Sequence, residues 1–247
     1  MMEKPCLFLF DFDETLSVRS SCYPIEELAP DREKLRLDEL DMRYDKEHRC
    51  WNRRMTEVHK RLAEQDVHTP QLIEAFRQIE LSPGTEELFR AINDNHHEIV
   101  VLSNACDLLI EECLRAHHLL QYVEKIESNP VRELDPIMII EEYTDPSLNQ
   151  CQICDPNLCK GSVIDKYRDR NLYRTLIFVG DGDNDVCPAL RLNQTDYVFA
   201  KIDPTSKKIY EMYNLLKTRY VDQLKTELFP WTTMNDVHAT LHQKKIL

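Results

Sequence analysis

Residues 6–15 read CLFLFDFDET. The first five are apolar and stop abruptly at Asp11, which is typical of a short strand buried on both faces. Asp11 and Asp13 are separated by one residue, so in an extended segment their carboxylates point the same way. Like charges this close are costly unless a cation or a shared proton compensates, and Mg2+ prefers such oxygen ligands. Taken alone, the stretch fits equally well a turn followed by a helix N-cap.

Further apolar runs alternate along the chain with segments of helical period. Strands are predicted at 98–102, 175–179 and 196–199, with weaker candidates at 123–126 and 228–231. Helices are predicted at about 85–95, 106–118, 161–171, 186–193, 205–217 and 235–245. This alternation predicts an α/β fold with a parallel sheet and helices on both faces.

Residues 17–81 break the alternation, because they are highly charged, show helix-like spacing of apolar residues and contain no strand run. We interpret them as a small α-helical cap inserted into the core. Ser82-Pro83-Gly84 is a turn signal that marks the return. The predicted catalytic core is therefore 1–16 together with 82–247.

Polar residues follow two more predicted strands, at the edge where ligands bind in open α/β sheets. Ser103 and Asn104 come after the second strand, where a hydroxyl can donate to a phosphate oxygen or cap the next helix. The third strand runs into Gly180-Asp181-Gly182-Asp183-Asn184-Asp185, which uses two of the four glycines in the chain. A solvated acidic turn would not explain that use, so we predict that this loop completes a metal site with Asp11.

The chain order of these elements is that of a known superfamily. Asp-x-Asp-x-Thr, then Ser103, Lys160 and the 180–185 loop, resembles the four motifs of the haloacid dehalogenase (HAD) superfamily, with the helical insert in the position of its C1-type cap. The stretches LFDFDETL, LSPG, SNP, C-x-x-C-x-x-N-x-C-K and VGDGDNDVCPAL are similar to those of the PHOSPHO family. The resemblance implies an HAD-like Rossmannoid sheet and a Mg2+-dependent phosphatase of small phosphate monoesters.

Roles follow from the resemblance residue by residue. It implies that Asp11 is the nucleophile that becomes an aspartyl phosphate, that Asp13 is the general acid and base, and that Thr15 helps to orient Asp13. Ser103 and Lys160 would bind the remaining phosphate oxygens.

The resemblance also implies a ligand set for Mg2+. The ion would be held by the Asp11 side chain, the Asp13 backbone carbonyl and Asp181, with Asp185 or Asn184 acting through water.

Two departures from the family pattern concern the substrate. Relatives that act on amine-alcohol phosphates typically carry an aspartate eleven positions after the nucleophile and another after the motif serine; here these positions are Cys22 and Asn104. We expect these two residues to contact the substrate and to alter specificity. The substrate would be pyridoxal phosphate or a metabolite like phosphoethanolamine or phosphocholine. A phosphotransferase and a weakly active phosphate-binding pseudo-enzyme are the alternatives.

The cysteines leave a second question open. Cys151, Cys154 and Cys159 have partial zinc-site spacing, but Ser147 and Asn149 stand where relatives often have histidines, so a fourth ligand is not evident. Buried or redox-sensitive thiols are the alternative, and Cys187 is a candidate to join the group.

The composition of the chain limits which kinds of binding partner are expected. The net charge of −13 disfavours nucleic acid and anionic membranes, and no apolar stretch has the length of a membrane span. Nine cysteines without a secretion signal favour free thiols in a reducing compartment. We therefore expect a cytoplasmic enzyme of small phosphorylated metabolites with no obligate protein partner.

Overall fold

The computed structural model describes residues 4–45, 51–134, 137–144, 153–154, 158–205 and 210–247. Six parallel strands form one sheet in the order β3-β2-β1-β6-β7-β8. The strands of the described chain are β1 Cys6–Phe10, β2 Glu98–Cys106, β3 Val123–Asn129, β4 Val131–Leu134, β5 Ile137–Ile140, β6 Thr175–Gly180, β7 Tyr197–Lys201 and β8 Glu227–Trp231. The predicted α/β class with a parallel sheet is confirmed.

The α-helices of the described chain are α1 Cys22–Glu26, α2 Leu37–Asp45, α3 Trp51–Ala63, α4 Thr69–Arg77, α5 Thr85–Asp94, α6 Asp107–Ala116, α7 Lys160–Asp169, α8 Val186–Arg191, α9 Glu211–Lys217 and α10 Met234–Gln243. Those from α5 onwards cover both faces of the sheet. Side chains of α5, α6 and α10 join one core, and those of α7, α8 and α9 join the other.

The central strand β1 shows why its sequence is apolar throughout. Phe8 and Phe10 belong to the first core, whereas Leu7 and Leu9 belong to the second. All five residues of the strand are buried, because successive side chains of a strand point to opposite faces and both faces here carry helices.

Strand β2 differs from its prediction. It continues to Cys106 instead of ending at Leu102, and its pairing with β3 shifts register between Leu102 and Cys106. Ser103 and Asn104 therefore lie within an irregular stretch of β2 and not in a loop after it.

The sequence analysis also missed the antiparallel hairpin of β4 and β5. The hairpin packs against α3, where the Thr56 hydroxyl accepts from the Ile140 N–H at 3.1 Å and the Asn52 amide donates to the Glu141 carbonyl at 2.9 Å. Short alternating runs next to a proline gave too weak a signal for the hairpin.

The two ends of the 17–81 insert lie next to each other. An antiparallel bridge joins Ser17 to Leu81, and α1 to α4 lie between these two residues. The cap assigned to 17–81 stays a prediction, and we propose that the β4–β5 hairpin completes it.

Candidate active site

Asp11 stands at the carboxyl end of the central strand, and the turn that follows is held by long-range contacts. Its N–H donates to the Val179 carbonyl at 3.0 Å. Phe12–Leu16 forms a tight, kinked turn in which Glu14 has a φ of 55°, the left-handed region that is costly for a non-glycine residue. Lys201, at the end of β7, donates to the Glu14 carbonyl. This contact helps to hold the turn in its strained form.

Lys160 begins α7 and reaches the same strand edge. Its Nζ lies 2.7 Å from Asp11 Oδ1 and 2.6 Å from Asp185 Oδ1. Burial lowers the pKa of Lys160, but Asp11 and Asp185 raise it by more, so the net change is upward. Lys160 is therefore a charged ammonium that partly neutralises two buried carboxylates.

The acidic loop after β6 is organised by one side chain. Asp185 Oδ2 accepts from the N–H groups of Asp181 at 2.9 Å and Gly182 at 3.3 Å. A Cβ on Gly180 would lie 2.4 Å from the same oxygen. Only glycine permits this close approach, which gives a physical reason for the glycine that the sequence analysis singled out.

Three carboxylates converge at this edge. Oxygen atoms of Asp11, Asp181 and Asp185 all lie within 4.8 Å of one another, and all three residues are buried. Burial, followed by the charge of Asp185, raises the pKa of Asp11 to about 7 and that of Asp181 well above its usual value. Lys160 alone does not balance three such charges, so the donor set fits an oxygen-seeking divalent cation.

Thr15 and Asp13 have different partners from those predicted. The Thr15 hydroxyl donates to Asp181 Oδ1 at 3.2 Å, so it supports the carboxylate cluster instead of orienting Asp13. Asp13 Oδ1 accepts from the Ser21 N–H at 2.7 Å. The difference arises because the left-handed residue Glu14 redirects the chain between Asp13 and Thr15. Burial raises the pKa of Asp13, and its hydrogen bonds with Ser21 partly offset this.

A cavity of about 340 Å³ opens above these groups. Its lining mixes the carboxylates with polar and apolar side chains: Asp11, Asp13, Ser20, Trp51, Ser103, Asn104, Ala105, Ile153, Cys154, Leu158, Asp183, Asn184 and Cys187. The predicted residues Ser103, Asn104 and Asn184 thus meet at the site, where the Asn184 amide donates to Asn104 Oδ1 at 3.2 Å.

Cys22 is placed differently from the prediction. It is not among the described residues that line the cavity. Its sulfur accepts from the indole N–H of Trp51 at 3.2 Å, and Trp51 is the residue that faces the cavity. Burial raises the pKa of the Cys22 thiol to about 11, so Cys22 is a neutral group that supports the indole.

Sequence reasoning missed Trp51 and Lys201 as site residues. Lys201 comes two residues after the apolar run at 196–199, so the strand-end argument used for the other three strands would have found it. No sequence signal marks Trp51, because its place at the cavity depends on how the insert folds over the core.

Three cysteines also come together beside the cavity. The sulfurs of Cys154, Cys159 and Cys187 lie within 4.8 Å of one another, whereas Cys151 lies outside the described residues. Cys187 therefore joins the group.

Solved structures with the same fold are phosphatases. A phosphoserine phosphatase determined as a phospho-aspartyl intermediate analogue superposes with a TM-score of 0.61 at 16% identity, covering 96% of this chain and 99% of that one. At this identity the likeness shows the fold alone. Together with the strand order of the sheet, it defines an α/β protein with a HAD-like fold.

Sequence comparison is more specific. A family model described as Putative Phosphatase matches residues 6–245, and the chain belongs to this family. The human phosphoethanolamine/phosphocholine phosphatase is 31% identical over 250 residues, with 96% of this chain and 88% of that protein covered. The human pyridoxal phosphate phosphatase PHOSPHO2 is 29% identical over 210 residues, with coverages of 82% and 84%.

In the part of the chain that the structure describes, no helix is both long enough and apolar enough to span a bilayer.

Proposed function

We propose that this phosphatase hydrolyses a small phosphate monoester through attack of Asp11 on phosphorus. The observation that carries the proposal is the placement of Asp11 at the floor of the cavity, 2.7 Å from the Lys160 ammonium and beside Asp13. A carboxylate in a cavity with a fixed cation and a second, protonatable carboxyl group has the parts required for covalent phosphoryl transfer.

Asp13 donates and accepts the proton that the two steps of the reaction require. As Asp11 forms its bond to phosphorus, the ester bond breaks and Asp13 gives its proton to the leaving alkoxide. Asp13 then takes a proton from water, whose oxygen attacks phosphorus and releases phosphate from Asp11. The raised pKa of Asp13 supports its being protonated for the first step.

The cation that fits the carboxylate cluster is Mg2+. Asp11, Asp181 and the Asp13 carbonyl would hold it, and Asp185 or Asn184 would act through water. When bound, the ion supplies positive charge to the phosphoryl oxygens. Thr15 fixes the orientation of Asp181 by its hydrogen bond.

Phosphate binding is assigned to Lys160 and Ser103. Both are buried at the strand edge, and Ser103 lines the cavity beside Asp11. Their donors would supply local attraction for an anion that a chain of net charge −13 otherwise repels.

For the leaving group we favour a planar aromatic alcohol such as that of pyridoxal phosphate over phosphoethanolamine or phosphocholine. The aromatic side chain of Trp51 lines the cavity, and the side chains of Ile153 and Leu158 add apolar surface to its wall. The curated relatives include phosphatases named for both kinds of substrate. Comparison of kcat/KM for pyridoxal phosphate and phosphoethanolamine decides between them.

We extend the proposal to setting and partners. The cysteines of the described segments form no disulfides, which supports a reducing compartment such as the cytoplasm. The cavity volume of about 340 Å³ supports a small metabolite as the partner.

The test is hydrolysis of p-nitrophenyl phosphate with Mg2+ or with EDTA, by the wild type and by Asp11→Asn. We expect Mg2+-dependent turnover by the wild type and a loss of about 10⁴-fold or more in the variant, whose fold is checked by circular dichroism. Near-normal turnover by a folded Asp11→Asn protein would show that the mechanism is wrong.

A further inference from the structure

Three sulfur atoms approach one another next to the cavity from separate parts of the chain. Cys154 lies in the segment before α7, Cys159 immediately precedes α7, and Cys187 lies in α8. All three sulfurs lie within 4.8 Å of one another, and those of Cys159 and Cys187 are 3.9 Å apart. These cysteines are not joined in disulfides.

The 3.9 Å spacing matches that of two ligands on one zinc ion. With Zn–S bonds of about 2.3 Å and tetrahedral angles, neighbouring sulfurs lie about 3.8 Å apart. The Cys154 sulfur lies within 4.8 Å of both other sulfurs, so the three sulfurs are close enough to surround one metal ion.

The backbone makes room for this arrangement. A Cβ on Gly161 would lie 2.5 Å from Cys187 Sγ, so a side chain at 161 would displace the sulfur. The Ser162 hydroxyl donates to Cys159 Sγ at 3.3 Å, and the N-terminus of the ten-residue α7 favours negative charge on that sulfur.

We propose that Cys154, Cys159 and Cys187 bind a thiophilic divalent cation, Zn2+ in the first place, at a site separate from the carboxylate cluster. Three thiolates are ligands that zinc prefers and Mg2+ does not. Cys154 and Cys187 both line the cavity, so the fourth tetrahedral position is left to a water molecule on that side.

The role of this metal site is to hold two parts of the active site in position relative to each other. Cys159 directly precedes Lys160, and Cys187 comes two residues after Asp185. A metal ion that joins the two cysteines would therefore link the start of α7, which carries the catalytic ammonium, to the end of the acidic loop.

The experiment measures zinc in the purified full-length protein by mass spectrometry after gel filtration in metal-free buffer containing a reductant. Wild type and Asp11→Asn should hold one zinc per chain, and so should Cys113→Ala, which alters a buried cysteine of α6 outside the group. Cys187→Ser and the half-buried Cys154→Ser should lose zinc at least tenfold. Because Asp11→Asn cannot turn over substrate on the proposed function, the zinc result is independent of it.

Cobalt provides a second readout. Addition of Co2+ to zinc-stripped wild type should produce thiolate-to-cobalt charge-transfer absorption that Cys154→Ser lacks. The proposal is overturned if reduced wild type holds no zinc and gives no such absorption, or if Cys187→Ser and Cys154→Ser retain zinc at the wild-type level. A Cys159–Cys187 disulfide in the isolated protein, with no metal uptake after reduction, would likewise overturn it.

Discussion

The ammonium of Lys160 lies 2.6 Å from Asp185 Oδ1, and both side chains are almost completely excluded from solvent. The other oxygen of Asp185 accepts from two N–H groups of the acidic loop. The Asp185 carboxylate therefore fixes both the position of the Lys160 ammonium and the shape of the acidic loop, and a change at either residue should affect both.

Removal of the buried cation should be costly for stability. Lys160→Met leaves Asp11 and Asp185 buried without their counter-charge, which should lower the free energy of unfolding by about 3–5 kcal/mol. Urea denaturation in EDTA measures this, and the loss should shrink in the double variant with Asp185→Asn. Lys244→Met, which breaks an exposed ion pair with Glu227, should cost less than about 1 kcal/mol. A similarly small loss for Lys160→Met would contradict the buried-pair account.

Metal-free protein should become less stable as the pH rises. The pKa of Asp11 in the folded protein is about 7, above its ordinary value of 3.8, so the folded state holds the proton more tightly than the unfolded state between these pH values. Stability then falls with rising pH across this window, by an amount on the order of a few kcal/mol. Added Mg2+ should stabilise more at pH 8 than at pH 5, because only the ionised carboxylate binds it.

Thermal unfolding at pH 5 to 8, with EDTA or Mg2+, checks this prediction. The comparison is with Asp11→Asn, so that contributions of other groups cancel, such as His59, whose pKa burial lowers to about 4. Equal pH slopes in the two proteins would exclude Asp11 as the source.

Loss of the Thr15 hydroxyl should weaken metal binding more than chemistry. Thr15→Val removes the donor to Asp181 Oδ1, and outer contacts of this kind typically contribute about tenfold or more to metal affinity. The Mg2+ concentration for half-maximal activity should rise accordingly, while the rate at saturating Mg2+ changes little. Thr15→Ser keeps a hydroxyl and should behave like the wild type; an equal loss in both variants would point to packing of the methyl group.

Trp51 should distinguish aromatic from aliphatic substrates. Trp51→Ala removes the indole from the wall of the cavity. Because an aromatic contact contributes about 0.5–1.5 kcal/mol, KM for pyridoxal phosphate should rise about 2- to 10-fold, and KM for phosphoethanolamine should change less. Trp51→Phe retains a ring and should recover most of the affinity. If both substrates lose equally, the indole acts by shaping the insert and not by contact.

The sequence carried enough information for the core because buried parallel strands and their polar ends are local signals. The run 6–10, the residues after it and the loop 180–185 could all be located in this way. The partners of individual side chains were less accessible. Thr15 bonds to Asp181 and not to Asp13, because the left-handed conformation of Glu14 is fixed by Lys201 from a strand almost 190 residues away.

The same limit applies to the insert. Cys22 was assigned by counting from Asp11, but the described insert residues that reach the cavity are Ser20 and, delivered by α3, Trp51. Tertiary packing of this kind leaves no periodic pattern in the sequence.

The hairpin of β4 and β5 sets a condition for protein engineering. It contacts α3 through Thr56, Asn52 and His59, whose Nδ1 lies 3.0 Å from the Met138 carbonyl. Residues 17–81 are thus not a self-contained module. A chimera that transplants them into a related scaffold to exchange selectivity would have to carry 131–141 as well, since otherwise the helix bearing Trp51 would lose its docking platform.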